Sequence, residues 1–487
     1  MRTRNIHITR PPILKMNFKK VLNPLFQNTD RDARKIQETQ DALKAVMMDD
    51  DDVHETVTAV VVGAGSRGRG YADIAKVKPT WMKIIGVAEP NDEKRALFAA
   101  AHDITSEDIF DDWRPLAAKG KIADVVFICT LDDQHYEPAI AFASLRYHIF
   151  LEKPMSTNID ECAKITDALE KAGTVCAIGH VLRYSPFHRK IKEILDTKEL
   201  GDILNIQHVE PVGWYHFAHS YVRGNWRNER SSTFSLMAKC CHDVDLLRWW
   251  TGLPFAKVSS FGSLTWFKQE NKPKEAGDAK KCLDCKLQDT CPYSAKTIYL
   301  KNRWHTSVLA HSGKLADIED AVKSGPYGRC VYEMDNDVCD NQVVNIQFEK
   351  GDHTTPTATL TMIATSNALC ERKVRVWCSN GDIEADEENA SIQITNFSTR
   401  QTRSINPYNS TQAVGGHGGS DMGIMRAFIL AVDAYKRGDH FTAQKHIPPI
   451  RESFTSHLFV FAAEHARQTS SVVDVQEYIE QQMKATT

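Results

Sequence analysis

Glu152, Lys153 and Pro154 close an apolar run, and Lys239 and His242 stand in a stretch of helical period farther along the 487-residue chain. These are residue types that move protons. Histidine can take a proton from a hydroxyl without tuning, whereas lysine needs partial desolvation or a cationic neighbour. The i, i+3, i+7 spacing of Lys239, His242 and Leu246 puts them on one helix face, so the two polar groups can enter one cleft. With Lys153 and with Asp243 or Asp245 they make a polar set inside an apolar helix. Lys153, His242 and Lys239 are therefore the catalytic candidates.

A second motif supplies a different chemistry. Gly63, Gly65 and Gly68 flank Ala64, Ser66 and Arg67 in a loop that follows the apolar run Thr58, Ala59, Val60, Val61, Val62 and opens a helical stretch. In such a loop the first glycine permits a tight turn, the second lets backbone approach a pyrophosphate, and the third lets helix pack close to strand. Glu89, about 20 residues on, is placed to accept hydrogen bonds from ribose hydroxyls and to repel a 2′-phosphate. NAD is thus expected before NADP, although Arg67 or Arg95 could meet a 2′-phosphate.

Elements must hold these residues in place. The run at 58–62, Lys83 to Ala88, Val125 to Ile128, Ile149 to Leu151 and Val175 to Ile178 read as strands separated by helical periods. Apolar strands alternating with helices predict a doubly wound parallel sheet over residues 56–200, an α/β Rossmann domain. The strand ends then bring Thr130, Gln134, His135, Glu152 and Lys153 beside the cofactor, with Ser66 and Arg67. From 201 to 487 the alternation of Ile203 to Val209, Val343 to Phe348, Thr357 to Ile363 and Lys373 to Cys378 predicts an α+β domain on a mostly antiparallel sheet. Residues 267–330, rich in Lys and Cys, read as an insertion on it.

The order of these motifs resembles the Gfo/Idh/MocA oxidoreductase family. The residues that carry the resemblance are Gly63 to Gly68, Thr130 to His135, Glu152 to Pro154, and Lys239 to Asp245. It implies an open-faced sheet in the second domain, a lysine at Lys153 between nicotinamide and substrate, and oxidation or reduction of sugars, cyclitols and related polyols. It also implies a homo-oligomer paired through that sheet. One position departs: many members carry an aspartate four residues before the histidine, where this chain has Ala238.

Further contacts are expected from Arg183 and Tyr184 after the strand at 175–178, from Asp243, and from the cluster Trp214, Tyr215, His216, His219, Trp226 and Arg227, which suits a ligand with CH faces and hydroxyls. His417, flanked by glycines, could close over such a ligand. No catalytic metal is expected, because hydride transfer needs none. Cys282, Cys285 and Cys291 form a Cys-x2-Cys-x5-Cys string whose first pair has the spacing of a zinc knuckle, without an evident fourth ligand; Cys330, Cys339, His305 or His311 would have to fold back, and reduced thiols are the plainer expectation.

Bulk properties narrow the field. Sixty basic against sixty-three acidic residues leave a net charge of -3, which gives no field to attract nucleic acid or an anionic membrane. There is no run of about 18 apolar residues, so no spanning helix is expected. The twelve cysteines are scattered and suit a reduced, cytoplasmic protein, so the sequons at Asn396 and Asn409 carry no weight. Residues 1–55, ending in four consecutive aspartates, read as a basic, loosely ordered tail with a faint likeness to a transit peptide.

The expected activity is an NAD(P)-dependent oxidation of a secondary alcohol on a small polyhydroxylated substrate. Two alternatives stay open: an NAD-assisted glycosidase that oxidises, eliminates and re-reduces, which needs one further base such as Lys239 or a tyrosine, and a dinucleotide-binding regulator that does not react.

Overall fold

The computed structural model describes residues 53–349, 351, 355–408 and 419–486. Residues 1–52 of the expected tail, Asn409 and His417 lie outside the described residues. The first sheet is built from Val57–Val62 (β1), Met82–Ala88 (β2), Ile109–Phe110 (β3), Val125–Ile128 (β4), His148–Leu151 (β5) and Cys176–Ile178 (β6). Their spatial order is β3-β2-β1-β4-β5-β6, with every pairing parallel. β4 and β5 are buried along their whole length, which is why their sequences carry no polar alternation. The order reverses between β1 and β4, opening a crevice beyond their carboxyl ends.

The second sheet comprises Ile203–Pro211 (β7), Phe255–Ser263 (β8), Asn341–Phe348 (β9), Thr357–Ile363 (β10), Lys373–Cys378 (β11), Gly381–Asp386 (β12), Ser391–Asn396 (β13), Gln401–Ile405 (β14) and Val473–Asp474 (β15). It runs β14-β13-β12-β11-β7-β10-β9-β8-β15, antiparallel except for β7 against β10. Alternation leaves one face inward, with Ile206, Leu360, Val376 and Ile383 buried, while Leu204 and Phe261 stand exposed. The buried face packs on the Ser235–Thr251 helix. The connection from β8 to β9 is the expected insertion; it has its own small apolar cluster of Cys282, Ala295, Ile298, Tyr299, Ile318 and Val322.

The boundary at 201 is not a clean division. The Ser420–Lys436 helix returns to the first sheet, where Phe428 meets the rings of Phe127 and Phe150. The Ile450–Thr469 helix packs on the Ile159–Ala172 helix and on β6. No described helix is long and apolar enough to cross a membrane.

Candidate active site

The glycine loop follows directly from its three glycines. Gly63 adopts φ +92°, and a Cβ there would strike the Cys129 carbonyl oxygen at 2.6 Å. A Cβ on Gly68 would lie 2.0 Å from the Gly63 oxygen, so only glycine lets the helix begin this close to β1. At Gly65 an added Cβ would meet nothing within 4 Å. Open space over bare backbone is what a pyrophosphate requires, so the loop fits a dinucleotide. Glu89 directly follows β2 and is buried, its carboxylate accepting from the Ala64 amide (2.8 Å) and the Asn91 amide (3.0 Å). It therefore ties the loop to the second strand.

Several expected cofactor contacts form a network of their own. Arg67 donates through Nε to Glu152 (2.7 Å) and through both terminal nitrogens to Asp421 (2.9 Å each), and also reaches the Tyr71 hydroxyl. Tyr71 donates to the same Glu152 oxygen (2.6 Å), whose partner oxygen accepts from the Lys153 amide (2.9 Å). Buried Glu152 is held below the usual carboxylate range: burial acts upward, and Arg67 and Lys153 more than offset it. Arg67 is thereby committed, and the thought that it meets a 2′-phosphate is corrected. Arg95 likewise donates to the Glu89 carbonyl (2.6 Å). His135 is wholly buried and its Nδ1 donates to the Pro154 carbonyl (2.8 Å), which ties it to the lysine turn. Thr130 and Gln134 remain at the rim, Thr130 Oγ1 donating to the Gln134 carbonyl (3.2 Å).

Lys153 follows β5 through a cis peptide to Pro154, and its Nζ donates to the Ala238 carbonyl across the domain boundary (2.8 Å). His242 lies one turn beyond Ala238 in the Ser235–Thr251 helix. Because helical side chains lean towards the N-terminus, its imidazole leans towards the carbonyl that holds Lys153. His242 is 7% exposed, and its ring stands 5.9 Å from that of His180. A carboxyl that the sequence reading passed over completes the group. Asp132 is buried in the turn after β4, accepts from Trp226 Nε1 (2.7 Å) and Ser232 (3.3 Å), and feels the charge of Lys153. Burial raises its carboxyl above the ordinary value, against the pull of Lys153 and His135. Its place inside the Thr130 to His135 motif was the available signal. Trp226 thus serves this carboxyl with its indole N–H.

Five expectations are corrected. Lys239 is not a free amine: its Nζ lies 2.8 Å from Cys370 Sγ and 3.4 Å from Glu210. Burial works against its charge, but Cys370 and Glu210 prevail and hold the proton on. Asp243, expected to touch substrate, is fully buried and binds His208 (2.7 Å) and Arg372 (3.0 Å). Arg183 is spent on a two-pronged bond to Asp245 (2.6 and 2.7 Å) and on Glu452 (2.8 Å), while neighbouring Tyr184 donates to the His446 carbonyl (3.3 Å). Arg227 turns to Asp335 (3.1 Å) and the Gly224 carbonyl. In each case a charge or hydroxyl near the cleft found a permanent partner from a distant segment.

His180, Cys241 and His457 bring ligand atoms within 4.8 Å of one another. His457, however, donates from Nδ1 to the Ser453 carbonyl (2.8 Å) and accepts at Nε2 from the Met155 amide (3.0 Å). Neither nitrogen has a lone pair left for a metal.

Comparison with known proteins agrees with this architecture. Residues 57–180 match an oxidoreductase family with an NAD-binding Rossmann fold, and residues 188–384 match the GFO/IDH/MocA C-terminal domain. The chain is 26% identical over 349 residues to the oxidoreductase YteT of Bacillus subtilis (strain 168), covering 69% of this chain and 77% of that protein. It is 27% identical over 193 residues to an inositol 2-dehydrogenase/D-chiro-inositol 3-dehydrogenase of Lacticaseibacillus casei, covering 39% of this chain and 51% of that protein. Among solved structures, an inositol dehydrogenase homolog from Azotobacter vinelandii complexed with NAD+ superposes with a TM-score of 0.63 at 12% identity, over 87% of this chain and 98% of that one. A levoglucosan dehydrogenase in complex with NADH gives 0.62 at 19% identity, over 86% and 99%. The chain belongs to the Gfo/Idh/MocA oxidoreductase family, and its N-terminal domain is an NAD-binding Rossmann domain.

Proposed function

We propose that this oxidoreductase transfers hydride between NAD and a secondary alcohol of a sugar, cyclitol or related polyol. The observation that carries the reading is Lys153: an amine at the mouth of the Rossmann crevice, held on the Ala238 carbonyl one helical turn from His242. When bound, NAD supplies the hydride acceptor. Gly63, Gly65 and Gly68 would receive its phosphates and Glu89 its ribose. Lys153, in its neutral form, takes the hydroxyl proton as the carbinol carbon is oxidised, and His242 accepts or relays that proton. Asp132 stabilises the resulting ammonium. The inositol and levoglucosan dehydrogenases among the similar proteins support a polyol substrate. A homo-oligomer paired through the exposed sheet face belongs to the same proposal.

Redox-assisted glycoside cleavage needs one further base. Lys239 is held protonated, and burial pushes the Tyr221 hydroxyl well above the ordinary tyrosine value, against the pull of Lys239. Net oxidation is therefore the reading adopted. The test is a panel of sugars, cyclitols and glycosides with NADH absorbance and product release followed in parallel. A polyol should yield NADH, and Lys153→Ala should lower kcat by about 10²- to 10⁴-fold with NAD still bound. Full turnover by both Lys153→Ala and His242→Ala would sink the mechanism, and aglycone release without NADH would replace it with the glycosidase reading.

A further inference from the structure

We propose that Cys282, Cys285, Cys291 and Cys330 form a tetrathiolate zinc site that staples the insertion between β8 and β9. Tertiary structure supplies the ligand that the Cys-x2-Cys-x5-Cys spacing lacked. The Cys330 amide donates to the Lys280 carbonyl (2.9 Å), and Lys281 pairs antiparallel with Arg329, which sets Cys330 beside Cys282. The other segment is wound back by short-range bonds: the Cys285 amide to the Cys282 carbonyl (3.3 Å), the Leu287 amide to Cys285 Sγ (3.4 Å), and the Cys291 amide to the Leu287 carbonyl (2.9 Å). An amide donating to a cysteine sulfur two residues earlier would stabilise that sulfur as a thiolate once a metal had displaced its proton. No three of the four sulfurs lie within 4.8 Å of one another, so the metal itself must draw them together.

The other candidates for a fourth ligand have other surroundings, although His305 Nε2 is buried without a hydrogen bond. His305 stacks on His219 and lies towards Lys239, while His311 Nδ1 donates to the Ser307 carbonyl (2.9 Å) and faces Lys94 and Arg69. Cys339 has Arg467, Glu464, Glu229 and Asp340 for neighbours. Of these candidates Cys330 is the one set beside Cys282.

An independent observation points to negative charge at this spot. Arg223 is wholly buried, yet no carboxylate among the described residues lies within ion-pair distance of it. Its Nε donates to the Arg329 carbonyl (2.8 Å), and its Nη2 donates to the Tyr293 carbonyl (2.7 Å) and to Cys282 Sγ (3.4 Å). Nη1 is buried without a well-formed hydrogen bond, with the Tyr299 ring 6.0 Å from the guanidinium. A buried guanidinium without a counter-charge is costly. Zinc held by four thiolates carries a net charge of about -2, which supplies that counter-charge. Binding releases four thiol protons to solvent and forms four Zn–S bonds of about 2.3 Å; the sulfurs draw together as these form.

The insertion's own apolar cluster has six buried residues, and Phe267 and Tyr293 anchor it in the main core, so a metal would add to an order the packing already gives. The insertion also carries Trp304, stacked on Tyr215 at 4.1 Å, and His305, so its order bears on the cleft.

The full chain, purified without chelator from zinc-supplemented medium, should contain about one zinc per chain by elemental mass spectrometry. Cys285→Ser and Cys330→Ser should each lower zinc at least about tenfold, whereas Cys176→Ser, in β6, should keep it. Cobalt in place of zinc should give the visible absorption of a tetrahedral thiolate site. Should the serine variants fail to fold, zinc content and the cobalt spectrum of the unaltered chain decide. Zinc absent from the unaltered chain, full zinc in Cys330→Ser, a disulfide between any two of the four cysteines, or iron with sulfide in place of zinc would each overturn the assignment.

Discussion

Ala238 shows how one position redistributes a site. Where the family resemblance led us to expect a carboxylate, this chain offers only a backbone carbonyl to Lys153. The negative charge comes instead from Asp132, on a turn of the other domain. Asp132→Asn removes that charge from beside the Lys153 ammonium, so the ammonium gives up its proton more readily. The acidic limb of the kcat/KM profile should move to lower pH, with kcat at its plateau changed by no more than about tenfold. An unmoved limb in rapid-mixing or steady-state profiles would separate Asp132 from the proton path. Glu387 offers a second residue-level test. Burial raises its carboxyl to about 7, against the pull of Arg372. The folded state then binds this proton more tightly than the unfolded chain does, so its contribution is full below the unfolded value and is lost as pH rises through about 7. Glu387→Gln should therefore raise the free energy of unfolding at pH above about 8, by at most roughly 3 kcal/mol, and change it little near pH 5.

At the scale of elements, the two later glycines of the loop separate folding from binding. Gly65→Ala places a methyl group in open space over the phosphate approach. The thermal midpoint should hold while NAD affinity, measured calorimetrically, weakens about tenfold or more, roughly 1.4 kcal/mol. Gly68→Ala drives a methyl group into the Gly63 carbonyl and should cost stability first, about 1 to 3 kcal/mol. Equal effects of the two substitutions on the midpoint would contradict this division. The Arg67 network joins three elements in the same way: the helix after β1, the end of β5 and the start of the Ser420–Lys436 helix. That last helix is the reason the two domains are not independent in sequence.

For the molecule as a whole, buried histidines set the acid limit of stability. Burial lowers His148 to about 4 and His457 to about 3, and neighbouring charges matter less. Both are neutral in the fold and charge in the unfolded chain near 6.5, so their contribution is full above that value and is lost as pH falls towards 4 and below. His148 is worth roughly 3 kcal/mol at most and His457 roughly 5 kcal/mol, and together they outweigh Glu387, which works in the opposite sense. The thermal midpoint should fall from about pH 7 to about pH 5, and a flat or rising curve would show these histidines to be charged in the fold.

The sequence by itself determined what short-range physics determines. Apolar runs such as Val125–Ile128 became buried parallel strands, the period around His242 became a helix, and the glycines at 63, 65 and 68 became the only loop their backbones allow. Tertiary structure decided which side chains were still available for chemistry. Asp243 met Arg372 and Lys239 met Cys370, partners more than 100 residues away, and both were withdrawn from the cleft. Asp132 and Cys330 were brought into sites that local spacing did not assign to them. Backbone preference and hydrophobic period act over a few residues and are written locally, whereas desolvation and charge pairing depend on whatever the fold sets alongside.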